Sequence, residues 1–114
     1  MVHRRQELGA EGEALVARHY EAQGYTVLDR NWRCRDGELD LVLRKGRTLV
    51  LCEVKTRTSA AFGTPAEAVT AAKQRKLRLL ARRWLAASTF RPSEIRFDVA
   101  AVLAGELDLI ENAF

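Results

Sequence analysis

Three residues in one short stretch could do chemistry together. In GELDLVLRKGRTLVLCEVKTRT, residues 37–58, Asp40 interrupts one apolar run, and Glu53 and Lys55 interrupt the next. Two carboxylates that converge on a half-buried face repel, and they are costly there unless a cation joins them. A hard divalent ion suits that role. Magnesium takes oxygen ligands, and one or two carboxylates with waters and a phosphate complete its shell. Such an ion polarises a phosphoryl oxygen and lowers the pKa of a bound water. A lysine on the same face can steady the charge that grows on phosphorus. The trio Asp40, Glu53 and Lys55 therefore describes metal-assisted phosphodiester hydrolysis. Its parts also have ordinary readings. Glu-x-Lys is common on exposed strand faces, where alternating charges pair, and an aspartate can hydrogen-bond a turn. GELDL also recurs at residues 105–109 with no Glu-x-Lys after it, so Asp108 is expected on an ordinary edge strand.

The elements that must position the trio can be read from periodicity. Residues 38–44 alternate, with Leu39, Leu41 and Leu43 on one face and Glu38, Asp40 and Val42 on the other. Lys45, Gly46 and Arg47 make a hairpin connection. Residues 48–56 form the next strand, and LVLC makes its first half apolar on both faces, the mark of a central strand. Beyond it, Glu53, Lys55 and Arg57 share a face with Leu51. Pairing Lys45 with Arg47 sets Asp40 opposite Cys52 and leaves Glu53 one position away. A one-residue shift of the turn would change that register.

Around this hairpin, residues 8–23 read as a helix ended by Gly24. Glu13 shares a side with Gly9, Val16 and Tyr20, either as an edge position reaching water or as a functional acid. Residues 25–31 are a short strand, and Asp36-Gly37 is a turn signal. After a loop over residues 57–64, Pro65 opens a helix predicted to reach residue 87. Strands follow at 96–103 and 106–110. A strand, crossover helix and strand in one sheet are parallel. The expectation is one α/β domain over residues 1–114: helix, three-strand meander, helix, strand, with a mixed sheet and helices on its faces. The second helix carries Lys73, Arg75, Lys76, Arg78, Arg82 and Arg83. Lys73, Lys76 and Arg83 intrude on the arc of Val69, Leu77, Leu80 and Trp84. They either snorkel past an apolar edge or line a phosphate-binding cleft.

Composition narrows the classes. The chain has 114 residues, 47% of them apolar and 30% charged, enough for one folded core. The net charge of +4 is compatible with a polyanionic partner and equally with a surplus of surface cations. Cys34 and Cys52 lack the local ligand spacing of a zinc site, and His3 and His19 are too few for a His-based centre. No apolar run approaches a membrane span, and the basic start MVHRRQELGAEGE lacks the apolar stretch of a secretory signal, so a cytoplasmic protein is expected.

The Asp, strand, Glu-x-Lys order resembles the PD-(D/E)xK nuclease superfamily, whose core is the restriction-endonuclease-like fold. More narrowly, GEALVARHYEAQGY, NWRCRDGELDL, LVLCEVKTR, FGTPAEAV, AAKQRKL, RFDVAAV and the closing NAF are similar to the YraN-like family of uncharacterised endonuclease-like proteins. The resemblance implies Asp40 and Glu53 as ligands of Mg2+ or Mn2+ and Lys55 as the catalytic lysine. It implies Glu13 as a first-helix acid near the metal and Gln74 as a helix glutamine near the site. Arg57, Lys73 and Lys76 would contact nucleic acid, expected to be DNA, branched or otherwise structured DNA included. A non-catalytic nucleic-acid-binding module on the same fold is the alternative. Many nucleases of this fold act as dimers, so a second copy is a candidate partner. The proline that precedes the first Asp in the superfamily is replaced by Leu39. Asp98, in RFDVAAV, has no implied role, and a bond to Arg96 or a turn is expected for it.

Overall fold

The apolar run LVLC lies in the middle of a sheet covered on both sides. The computed structural model describes residues 4–57 and 69–114, with side chains from residue 9 onward. The chain forms α1 (Arg4–Ala22), β1 (Thr26–Cys34), β2 (Gly37–Lys45), β3 (Thr48–Arg57), α2 (Ala71–Ala86), β4 (Glu94–Leu103) and β5 (Glu106–Ile110). The strands lie in the order β1-β2-β3-β4-β5. Every neighbouring pair is antiparallel except β3 and β4, which are parallel across the α2 connection. The expected mixed α/β architecture is present.

The two helices cover opposite faces. Val16, Ala17 and Tyr20 of α1 pack with Leu41, Leu43, Val50, Cys52, Ala100 and Val102. Leu77, Leu80, Ala81 and Trp84 of α2 pack with Leu39, Val42, Leu49, Leu51 and Val99. Consecutive β3 residues alternate between these clusters, which is why LVLC is apolar throughout. Each such side chain contributes about 2 kcal/mol by burial.

Three details differ from the sequence reading. Helix α2 begins at Ala71, not at Pro65, which lies outside the described residues. Val69 and Thr70 are non-helical, and the Thr70 hydroxyl accepts the Lys73 N–H at 3.2 Å as an N-cap. The β2–β3 turn is shorter by one residue. Lys45 pairs with Thr48, leaving Gly46 and Arg47 as the loop, and Gly46 takes φ +60, as a tight hairpin requires of its first residue. Finally, strict alternation in β2 fails. Leu39 joins the α2 cluster whereas Leu41 and Leu43 join the α1 cluster, so the break falls at Asp40.

A buried polar network fastens α1 to the sheet. The Tyr20 hydroxyl donates to Asp98 Oδ2 at 2.6 Å. Arg96 donates to both Asp98 oxygens at 2.9 Å, and the Asn112 N–H donates at 3.0 Å. Asp98 is 1% exposed, so this satisfaction is what makes its burial tolerable. The expected bond from Arg96 is there, because residues two apart on a strand share a face. Burial first, and then the neighbouring Cys52 and Asp98, push the Tyr20 hydroxyl far above its usual pKa, so it stays a donor.

Candidate active site

The sheet forks at the hairpin. The β2–β3 ladder ends at Leu41 with Cys52. Below that point β2 continues with β1 down to Cys34–Gly37, and β3 continues with β4 up to Arg57–Leu103. Asp40 and Glu53 are the first residues past the last rung, one on each prong. The corrected turn register brings them level, where the longer turn would have left them one step apart.

Asp40 spans the fork. Its Oδ2 accepts the Val54 N–H at 2.9 Å, taking the place of a ladder bond that the separating strands no longer make. Its carboxyl is pushed up to about 7, chiefly by burial and next by the negative charge of Glu53. The Val54 hydrogen bond opposes this rise, while Glu13 and Glu38 add to it. Asp40 is therefore an acid held where its charge is not fully compensated.

Glu53 is 7% exposed. Its Oε1 receives two ammonium groups, Lys55 at 3.2 Å and Lys73 at 3.4 Å. Lys55 comes from the same strand face two residues on. Lys73 comes from the first turn of α2, which the Thr70 cap fixes over this end of β3.

Glu13 reaches the fork from the other face of the sheet. A β-carbon at Gly12 would collide with Thr56 Oγ1, so glycine there lets α1 lie directly on β3. Burial raises the Glu13 carboxyl above its ordinary value, a side-chain bond from Asn31 lowers it, and the charges of Glu38 and Glu53 raise it further. The structure thus brings Asp40, Glu53, Lys55, Lys73 and Glu13 to one place. The Gln74 amide donates to the Val69 carbonyl at 3.3 Å and ties down the start of α2. Lys76 is exposed on α2, and Arg57 ends β3 on the Lys55 side of the strand.

Two residues of the cluster were not read from the sequence. Glu38 acts on both Glu13 and Asp40, and it also pairs with Arg33 at 3.1 Å. Asn31 holds Glu13 from a left-handed backbone position, φ +50. Asparagine in a β-branched and aromatic strand was the available signal, because it tolerates that conformation.

The donor set at the fork is all oxygen, which fits a hard divalent cation. Two carboxylates can serve magnesium or manganese when water or phosphate fills the remaining positions. Among the described residues no three Asp, Glu, His or Cys side chains form a ready-made metal site. Any such ion would lean on the substrate and solvent, and Lys55 and Lys73 would have to share Glu53 with it. Both cysteines are free, Cys52 buried and Cys34 half-buried. Among the described residues no helix is long and apolar enough to cross a membrane.

Comparison with known proteins places the chain firmly. The profile of the uncharacterised protein family UPF0102 matches residues 12–102, which takes in the whole acid cluster. A UPF0102 protein of Frankia alni is 57% identical over 95 residues, 83% of this chain and 79% of the relative. One from Beutenbergia cavernae is 58% identical over 96 residues, 84% of this chain and 81% of the relative. One from Rhodococcus opacus is 48% identical over 112 residues, 94% of this chain and 95% of the relative. The names of these relatives specify no activity. The chain belongs to the uncharacterised protein family UPF0102, which is the YraN-like family its motifs resemble.

Proposed function

We propose that this protein is a divalent-metal-dependent nuclease that hydrolyses DNA phosphodiester bonds. The observation that carries this reading is the fork. Asp40 and Glu53 stand level past the last rung of the β2–β3 ladder, near enough for the charge of Glu53 to raise the Asp40 carboxyl, with Lys55 on Glu53 at 3.2 Å. Such a cluster is poorly suited to stability alone, because an apolar pair would cost less at the same depth.

Asp40 and Glu53 would hold Mg2+ or Mn2+, with Glu13 beside them. When bound, the ion supplies Lewis-acid stabilisation of phosphate charge. The chain's own groups do the rest. The Val54 N–H fixes the Asp40 carboxylate, so this acid needs no reorganisation to act. Lys55 offers a proton-rich, positively charged group for the non-bridging phosphate oxygens. Lys73 stands opposite it from α2 and brings a second cation to the same phosphate. Arg57 lies one strand step beyond Lys55 to receive the neighbouring phosphate.

A second reading has one observation in its favour. Lys55 and Lys73 already neutralise Glu53, as they would in a nucleic-acid-binding module that does no chemistry. The two readings part in a cleavage screen on linear, flapped and four-way DNA with Mg2+ or Mn2+. The nuclease reading expects cleavage that needs the ion and disappears in Asp40→Asn and Glu53→Gln, while DNA binding persists. Calorimetry should show the ion binding to the wild type and not to Asp40→Asn. Absence of cleavage on every substrate, with metal-free binding tightened by Asp40→Asn, would replace it with the binding module.

A further inference from the structure

Helix α2 has sixteen residues, among them Lys73, Arg75, Lys76, Arg78, Arg82 and Arg83, and not one acid. Like charges three and four apart destabilise a helix, so this balance favours a polyanion lying alongside. Only part of the charge is used within the fold. Lys73 is on Glu53, Arg83 Nε is 2.9 Å from Asp36, and Arg78 lies over the rings of Phe97 and Phe114. Among the described residues Arg75, Lys76 and Arg82 have no ion-pair partner.

One flank of the helix carries the unpaired Lys76 between the paired Lys73 and Arg83. Lys73, Lys76, Arg83 and Ala87 are spaced by three, seven and four residues, which sets them along one flank of the helix. That flank looks onto the β1–β2 turn. The Lys76 Cε comes within 3.3 Å of where a β-carbon on Gly37 would be, and Arg83 holds Asp36 of the turn. The turn adds the exposed Arg35, whereas Arg33 is paired with Glu38 on the other face of the strand from Trp32. The flank therefore begins at Glu53, through Lys73, and runs about 21 Å to Ala87, a length of about six nucleotides of B-form strand.

At its far end is a pocket of about 340 Å3 lined by Asp29, Trp32, Trp84, Ala87, Ser88 and Thr89. Trp84 Nε1 donates to Asp29 Oδ2 at 2.7 Å, which fixes the buried indole. Trp32 is only half-buried, on the edge strand β1. An indole with an accessible face beside hydroxyl groups is the chemistry that receives an unstacked base.

We propose that a single strand of nucleic acid lies along this flank, with phosphates on Lys76 and Arg35 and one unpaired base in the Trp32–Trp84 pocket. The inference rests on the nuclease reading for where the path starts, and on the basic flank and the pocket for where it goes. Trp32 and Trp84 are the only two tryptophans of the chain, so intrinsic fluorescence reports on this pocket alone.

The test uses the full chain carrying Asp40→Asn, without metal, so that only binding is read. A short single strand and a blunt duplex of the same sequence are titrated, in deoxy and ribo forms, following anisotropy and tryptophan fluorescence together. The single strand should quench the fluorescence with the same midpoint as the anisotropy change, and Trp32→Leu should weaken it about tenfold. Arg35→Ala, on the surface, should reduce the slope of log Kd against log salt by about one, for the one lost phosphate contact. Arg18→Ala, an equal charge loss on exposed α1, should leave the slope unchanged. Binding without quenching, tighter binding of the duplex, or an Arg18→Ala effect equal to that of Arg35→Ala would each overturn the path. Cleavage by the wild type alongside any of those results would remove the path and leave the nuclease. Quenching and slope changes as expected with no cleavage anywhere would do the reverse.

Discussion

Residues 37–41 and 105–109 are the same pentapeptide, GELDL, and both enter an antiparallel hairpin. They enter it differently. In the first copy Gly37 already pairs with Cys34, and the two-residue turn lies before it. In the second, Gly105 is part of the turn and Glu106 is the first paired residue, opposite Leu103. The neighbours differ too. β2 lies between β1 and β3, under α2, whereas β5 is an edge with β4 alone beside it. Leu39 is consequently buried in the α2 cluster, while Leu107 only fringes the α1 cluster. Asp40 sits in the fork beside Glu53, and Asp108 is exposed opposite Ala101. Identical residues become a strained acid or a solvated one according to what the next strand supplies.

The largest separation between the two copies is expected in catalysis. Asp40→Asn keeps an oxygen for the Val54 N–H but removes the charge. Cleavage should fall on the order of a thousandfold, the scale of losing a preorganised electrostatic group. Asp108→Asn should cleave like the wild type. Rates on one labelled substrate decide it, and equal loss in both variants would mean that the fork has no special part in the reaction.

A smaller separation is expected in stability. Leu39 is 2% exposed, and Leu39→Ala should cost about 3 kcal/mol through lost burial and a cavity under α2. Leu107→Ala, on the edge strand, should cost about 1 kcal/mol. Urea unfolding monitored by circular dichroism measures both. Similar midpoints would show that β2 is no better packed than β5.

The same contrast marks what the sequence could reveal. The order of elements, the central β3 and the edge nature of the second GELDL all follow from runs of apolar residues and turn signals, and all hold. The Arg96–Asp98 bond was foreseen because strand period alone puts the two on one face. The position of Asp40 was only half legible. Strand alternation predicts its face from Leu39 and Leu41, yet those leucines point to opposite layers, because β2 leaves β3 at this point. Nothing local in GELDL announces that departure, as the second copy proves by lacking it. The register of the β2–β3 turn hinged on whether Gly46 opens a two-residue loop, a choice of one residue that moves Asp40 from Cys52 to Glu53. The start of α2 was misplaced for a related reason: Thr70 can bond the Lys73 N–H, and a side chain that competes with the backbone ends or begins a helix more sharply than a helical pattern suggests. Glu38 was overlooked because its role depends on how close α1 comes, which Gly12 decides from far along the chain.

The smallest expected difference between the copies is in how stability depends on pH. An aspartate has a pKa of about 3.9 when unfolded, and the fold raises Asp40 to about 7, by burial and by Glu53. A raised acid favours its protonated form in the folded state. Its contribution is fully present below about pH 4 and is lost as the pH climbs through 7, since over that window the unfolded chain ionises first. Three pKa units would correspond to about 4 kcal/mol. About 2 kcal/mol is expected between pH 4 and pH 8, because Lys55 and Lys73 can turn toward the ionised pair and offset part of the repulsion. Asp40→Asn removes this titration, so it should gain on the wild type as the pH rises and be the more stable protein at pH 8. Asp108→Asn, on the exposed edge strand, is the matching substitution in the second copy and is measured beside it. Unfolding midpoints at intervals from pH 4 to pH 8, in metal-free buffer, give the comparison directly. A constant gap between wild type and Asp40→Asn across that range would mean that the fork does not strain its acid.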